Sequence, residues 1–148
     1  MTQASRLPFG TALALAQRVL AAPLAAVLSA EEMAMPSWFT LNALGLRGPT
    51  SVAVLSDLLA TNGLDALAVG NLLNELSNSG LVDIRNGVVS LTSVGAARYA
   101  EMRDRVDSVT ARIFERFDAT RVETARSLLQ EIAQTDPEQL TRRSVRAG

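Results

Sequence analysis

The sequence predicts a mainly α chain in which a helix-turn-helix is followed by a two-stranded hairpin, with further helices at both ends. Three observations carry this prediction. Segments 51–61 and 65–78 each show apolar residues at helical spacing, with the stop-and-turn pair Asn62-Gly63 between them. Residues 81–91 alternate about Asn86-Gly87, the pair that best suits a two-residue type I′ turn. The flanks, about 11–46 and 93–134, keep helical apolar periodicity over long stretches. At 148 residues the chain suits one domain, and its 48% hydrophobic content is ample for a core.

The first helix is expected over 11–28. Leu13, Val19, Leu20, Leu24, Val27 and Leu28 cover most of its surface, so it must be buried on most sides, partly by another subunit. Pro23 should bend or break it. Gln17 and Arg18 interrupt its apolar run and no cleavage pattern follows, so it reads as a packing helix rather than a signal peptide or membrane span. A cytoplasmic location is the corresponding expectation.

The second helix has two candidate starts. Ser29 and Glu32 have capping-box spacing, and Met35-Pro36 would place a proline in the first turn. Trp38, Leu41, Leu44 and Leu46 follow before Gly48-Pro49 ends it. The third, 51–61, carries Val52, Leu55, Leu58 and Leu59. The fourth, 65–78, has Asp65 as candidate cap and a buried stripe of Val69, Leu72, Leu73 and Leu76. Its other face presents Gly70, Asn71, Asn74 and Glu75.

The hairpin register follows from the turn. Arg85 faces Val88, Ile84 faces Val89, Asp83 faces Ser90 and Val82 faces Leu91. That sorts Val82, Ile84, Val89 and Leu91 onto one face. After Thr92 a long helix is expected to reach about Phe117, with Met102, Val106, Val109, Ile113 and Phe117 as a narrow seam. Glu101 and Arg105 can pair one turn apart. Thr120 and Glu123 suggest a capping box for the last helix, which presents Val122, Ala125, Leu128, Leu129 and Ile132. Asp136-Pro137 ends that helix, and 135–148, with Arg142, Arg143 and Arg146, is expected to be a flexible tail.

Composition excludes much chemistry. The chain has no His and no Cys, and all 14 basic residues are Arg, so Lys is absent too. No imidazole base, thiolate, Schiff-base lysine or phosphate-loop lysine is available. No enzyme activity and no cofactor is expected. The missing Cys argues against thiol oxidation as a sensing mode, and the missing His and Cys argue against a soft transition-metal sensor.

With these residues in view, the chain resembles the MarR family of transcriptional regulators. The resemblance rests on Leu55-Ser-Asp-Leu-Leu59, Asn74-Glu-Leu-Ser-Asn-Ser-Gly-Leu-Val82, Ser90-Leu-Thr-Ser-Val-Gly95 and the style of the stretch from Asp118 to Leu129, and it spans about 13–133. It implies one winged helix-turn-helix domain over 1–148: dimerisation helices at about 11–46 and 93–134, and the helix-turn-helix with a two-stranded wing at 51–92. It implies a homodimer on double-stranded DNA, with the 65–78 helix in the major groove and the hairpin tip near the minor groove. It also implies a small-molecule effector site between the dimer helices and the head, where binding changes the spacing of the two reading heads. Asn71 and Asn74 become candidates for base contact, since amides can bond to adenine edges. Arg85 and Asn86 become candidates at the wing tip. Met35, Trp38, Phe39 and Tyr99, with Met33, become candidate pocket residues; core and dimer packing is the competing role for all of them.

The charge pattern leaves the function open between two readings. Between residues 48 and 84 stand Asp57, Asp65, Glu75 and Asp83 and no Arg or Lys. DNA affinity comes largely from cations placed on phosphates. The first reading is a DNA-binding regulator that relies on Arg85, amides and hydroxyls, with Arg47, Arg98 and Arg103 adding long-range attraction. The alternative is a MarR-like fold with reduced or lost DNA binding, acting as a protein-interaction or ligand-binding module.

Overall fold

The hairpin forms in the register that its turn dictates. Asn86 and Gly87 both take left-handed backbone, φ 51° and 74°, as a type I′ turn requires. Val82 pairs with Leu91, Asp83 with Ser90, Ile84 with Val89 and Arg85 with Val88. Val82 and Val89 are buried beneath it.

The computed structural model describes residues 6–146, with side chains through residue 142. Its elements are α1 (Phe9–Ala30), α2 (Met35–Arg47), β1 (Thr50–Ser51), α3 (Val52–Ala60), α4 (Ala66–Asn78), β2 (Val82–Arg85), β3 (Val88–Leu91), α5 (Ser93–Phe114), α6 (Ala119–Gln134) and α7 (Pro137–Arg146). The chain is mainly helical with one small antiparallel sheet, ordered β1-β3-β2. It divides into two compact units, Met1–Thr110 and Ala111–Gly148.

In the first unit, α2, α3, α4 and the sheet close over one core. Leu41 and Leu44 meet Leu55, Leu59, Val69, Leu72, Leu73 and Leu76, with Val82 and Val89 from the sheet. Each such side chain contributes about 1.5–3 kcal/mol on burial. Ser51 caps α3 by accepting from Val54 N at 3.2 Å. Asp65 caps α4 by accepting from Ala68 N at 2.8 Å. A second cluster gathers Leu28 from α1, Trp38 from α2 and Met102 from α5.

Several features differ from the sequence reading. The two-stranded wing is joined by a third strand that the sequence reading lacked: Thr50 pairs with Val89 and Ser51 with Val88. A two-residue strand has no alternation to read, and it forms because Gly48, at φ 81°, turns the chain back beside β3. Ser29 is not a cap. It lies inside α1, which runs to Ala30, and α2 takes the other start, with Pro36 in its first turn. Nor does α1 break at Pro23, because proline removes one rung and flanking alanines at 21, 22, 25 and 26 favour helix. Finally, α6 is capped by Asp118, which accepts from Arg121 N at 3.0 Å. Glu123 instead engages Arg126 through side-chain hydrogen bonds.

The α5 helix ends at Phe114, three residues before the expected Phe117. Over 135–148, read from sequence as a tail, the chain carries α7, which Pro137 opens. Arg142 pairs there with Glu138 at 3.2 Å; the side chains of Arg143 and Arg146 lie outside the described residues.

Two helices present apolar surface that nothing in their own unit covers. Along α1 only Leu28 is buried, while Phe9, Leu13, Leu15 and Val19 are exposed. By length and composition α1 is also apolar enough to cross a membrane. Among the described residues of α6 none is buried, and Leu128, Leu129 and Ile132 stand exposed.

Candidate functional site

The α4 helix is two-faced. Val69, Leu72, Leu73 and Leu76 fix its inner side in the core, and that stripe forces Asn71 and Asn74 outward. Both amides are exposed, as are Gly70 and Glu75. Leu67, near the helix start, is 74% exposed. The turn before α4 uses Gly63 at φ 83°.

Arg85 and Asn86 sit at the wing tip, both exposed. The Arg85 guanidinium is not free. Its Nε lies 3.0 Å from Asp83 Oδ2 with the Arg85 side chain 83% exposed. In water such a pair is worth no more than about 1 kcal/mol, so a phosphate can compete for it. The amides of α4 and the wing tip thus occupy separate elements of one unit, joined by packing of α4 on β2.

What joins them rigidly is a staple that the sequence motif did not explain. Thr92 Oγ1 donates to Gly80 O at 2.5 Å and accepts from Gly95 N at 3.0 Å. Thr92 N donates to Leu81 O at 3.1 Å. A Cβ on Gly95 would collide with that same Leu81 carbonyl. The end of α4, the base of the wing and the first turn of α5 are therefore held at one point. Gly80, at φ 77°, makes the turn that allows it.

Met35, Trp38, Phe39 and Tyr99 come together on the Leu28–Trp38–Met102 cluster, with Met33 beside them. Trp38 and Tyr99 stack, ring centroids 5.9 Å apart and planes 23° from parallel. The arrangement packs the core as it stands: Trp38 is 3% exposed. At the polar edge of the stack, Asn42 Oδ1 accepts from Tyr99 OH at 3.4 Å and from Arg103 Nη1 at 3.2 Å. The sequence reading missed Asn42 as part of this corner. It also missed Gly45, where a Cβ would collide with the Tyr99 ring. A glycine inside a helix is the signal that could have found it.

The arginines expected to lend long-range attraction are mostly committed elsewhere. Arg98 pairs with Glu31 at 3.1 Å and Arg103 with Asp107 at 3.2 Å. Arg47, in the last turn of α2, is exposed and forms no ion pair among the described residues.

No family model matches the chain, and no curated protein sequence does. Solved structures do. The protein is similar to a Mycobacterium tuberculosis MarR family protein in complex with DNA, at 24% identity, TM-score 0.71, over 86% of this chain and 98% of that one. It is similar to NadR in complex with 4-hydroxyphenylacetate, at 22% identity and TM-score 0.73, over 86% of this chain and 96% of the other. A mutant MarR from E. coli superposes at TM-score 0.74 with 19% identity, over 88% and 99% of the two chains. These structural neighbours are MarR family regulators, and the fold of this chain is the MarR-type winged helix.

Proposed function

We propose that the protein is a ligand-responsive transcriptional regulator that binds double-stranded DNA as a homodimer. The observation that carries this reading is the fold itself, with α4 capped, anchored and turned so that Asn71 and Asn74 face outward. In this reading α4 enters the major groove and Asn71 and Asn74 bond to base edges. Arg85 leaves Asp83 for a phosphate or the minor groove, and Asn86 lies beside it. Helices within 11–46 and 93–134 form the dimer, with the exposed apolar faces of α1 and α6 as its contact surfaces. A dimer interface for α1, rather than a bilayer, goes with a cytoplasmic protein. The Met35–Trp38–Phe39–Tyr99 corner takes the effector by rearranging its packing, as a small aromatic molecule would require. Catalysis has no part in it, since the chain lacks His, Cys and Lys.

One observation favours the second reading, a MarR-like module that has lost DNA binding. The head carries four acids and no cation from 48 to 84, and its wing arginine is paired. Titration of duplexes from the gene's own promoter region separates the two. Sequence-specific binding that weakens with Arg85→Ala and Asn74→Ala supports the regulator. Binding no better than to a random duplex at low salt supports the module.

A further inference from the structure

We infer that Glu31 is the pin of a joint that sets the direction of α1, and so regulates where the partner's head stands in the proposed dimer. The α1 helix has 22 residues, yet only Leu28, near its end, is buried. Its direction is therefore decided by a small area around its last turns. One component is apolar: Leu28 with Trp38 and Met102. The other is Glu31, whose side chain is 15% exposed.

Both carboxylate oxygens of Glu31 are engaged by α5. Oε2 takes Arg98 Nη1 at 3.1 Å and Oε1 takes Arg105. Arg98 Nη2 also donates to the Glu31 backbone carbonyl at 2.9 Å, closing the end of α1. The chain then turns through Glu32, a non-glycine residue at φ 54°. That left-handed conformation is uncommon for glutamate and is held by its surroundings.

The same two arginines have a second acceptor. Glu101 lies 3.6 Å from Arg98 and 3.1 Å from Arg105, on α5 itself. If Glu31 lets go, both cations can close on Glu101 without being left unpaired. The joint can therefore open without unfolding the core. Near its base α5 is stapled to the wing and the end of α4 through Thr92. An opened joint thus swings α1 against the whole reading head. With about 30 Å of helix beyond it, a swing of roughly 10° moves the α1 tip by about 5 Å.

The experiment uses the absence of Cys. Gln17→Cys on α1 and Ser77→Cys on α4, both exposed positions, accept spin labels. Labelled chain is diluted into excess unlabelled chain, so that pulsed dipolar spectroscopy reads the distance within one chain. In the parent a single narrow distance is expected. Glu31→Gln should broaden or shift it while the far-ultraviolet circular dichroism stays unchanged. Glu101→Gln should leave it narrow. An unchanged distance in Glu31→Gln would overturn the joint. Loss of the fold in Glu31→Gln would overturn it as well, because Glu101 would then have failed to take the arginines. The regulatory consequence rests on the dimer reading, which light scattering of the same samples reports separately. A monomer would overturn the dimer while leaving the intrachain distance to decide the joint.

Discussion

Gly45 and Gly95 both lack room for a methyl group, and they differ in what stands opposite. At Gly45 the obstacle is the Tyr99 ring; at Gly95 it is the Leu81 backbone carbonyl. A ring can tilt, whereas a carbonyl fixed in a staple cannot. Gly45→Ala is expected to destabilise by about 1–3 kcal/mol, the usual effect of overpacking, and to break the Trp38–Tyr99 stack. Gly95→Ala should lose more, and its wing amides should lose protection from hydrogen exchange before the rest of the core. Urea unfolding of the two variants checks the order; a smaller loss at Gly95 would contradict the staple. Thr92→Val removes the hydroxyl that bonds at both ends of that staple and should cost about 0.5–1.5 kcal/mol for each hydrogen bond lost. The motif holding Thr92 and Gly95 was visible in the sequence, but its reason was not. The hairpin register brings residues 80 and 92 together, but that the Thr92 hydroxyl then spans Gly80 and Gly95 depends on where α5 starts, which the hairpin pattern does not encode.

Elements defined by strong local chemistry were legible from sequence; those created by a distant partner were not. The α4 stripe, its Asp65 cap and the hairpin register belong to the first group, because 3.6-residue periodicity, a capping carboxylate and an Asn-Gly turn each act over a few residues. The β1 strand belongs to the second, since Thr50 and Ser51 become a strand only beside β3. At the α1–α2 corner the sequence offers two starts for α2, at Ser29 and at Met35; local spacing does not choose between them, and the ion pairs from α5 to Glu31 hold the end of α1 where Ser29 would have to cap. At α6 the carboxylate of Asp118 caps and Glu123 turns to Arg126. The Arg126 hydrogen bond holds the Glu123 carboxyl below its ordinary value. The pairing should therefore persist above the usual carboxylate range and fade as pH falls through that lowered value. Following the Glu123 side-chain carbon by NMR tests this; an unshifted midpoint would contradict it. The candidate site was legible to the same extent. The outward placement of Asn71 and Asn74 is legible because the apolar stripe dictates the opposite face. Glu31, Asn42 and Gly45 act through residues more than fifty positions away.

For the whole molecule, the exposed apolar faces and the acidic head are the features on which the proposed function is tested. Val19 is 68% exposed within its own chain, so Val19→Asp should leave the fold of the protomer intact. In the proposed dimer it places a charge in apolar contact, and light scattering should then report a monomer at micromolar concentration. A dimer that tolerates this change would move the interface elsewhere. The head imposes a sharper expectation. If Arg85 is the only wing cation that each protomer lends to phosphate, about two counterions are released per dimer. The logarithm of the binding constant should then fall with that of salt at a slope of roughly −2, far shallower than the −10 of a heavily cationic repressor. Titration of a promoter duplex across a salt series, with the parent and with Arg85→Ala, decides whether the protein binds DNA through its wing. Specific binding with a slope near that value is expected for the parent, and weaker binding with a slope close to zero for Arg85→Ala. Binding that is absent at low salt, or that ignores both salt and Arg85, would contradict it.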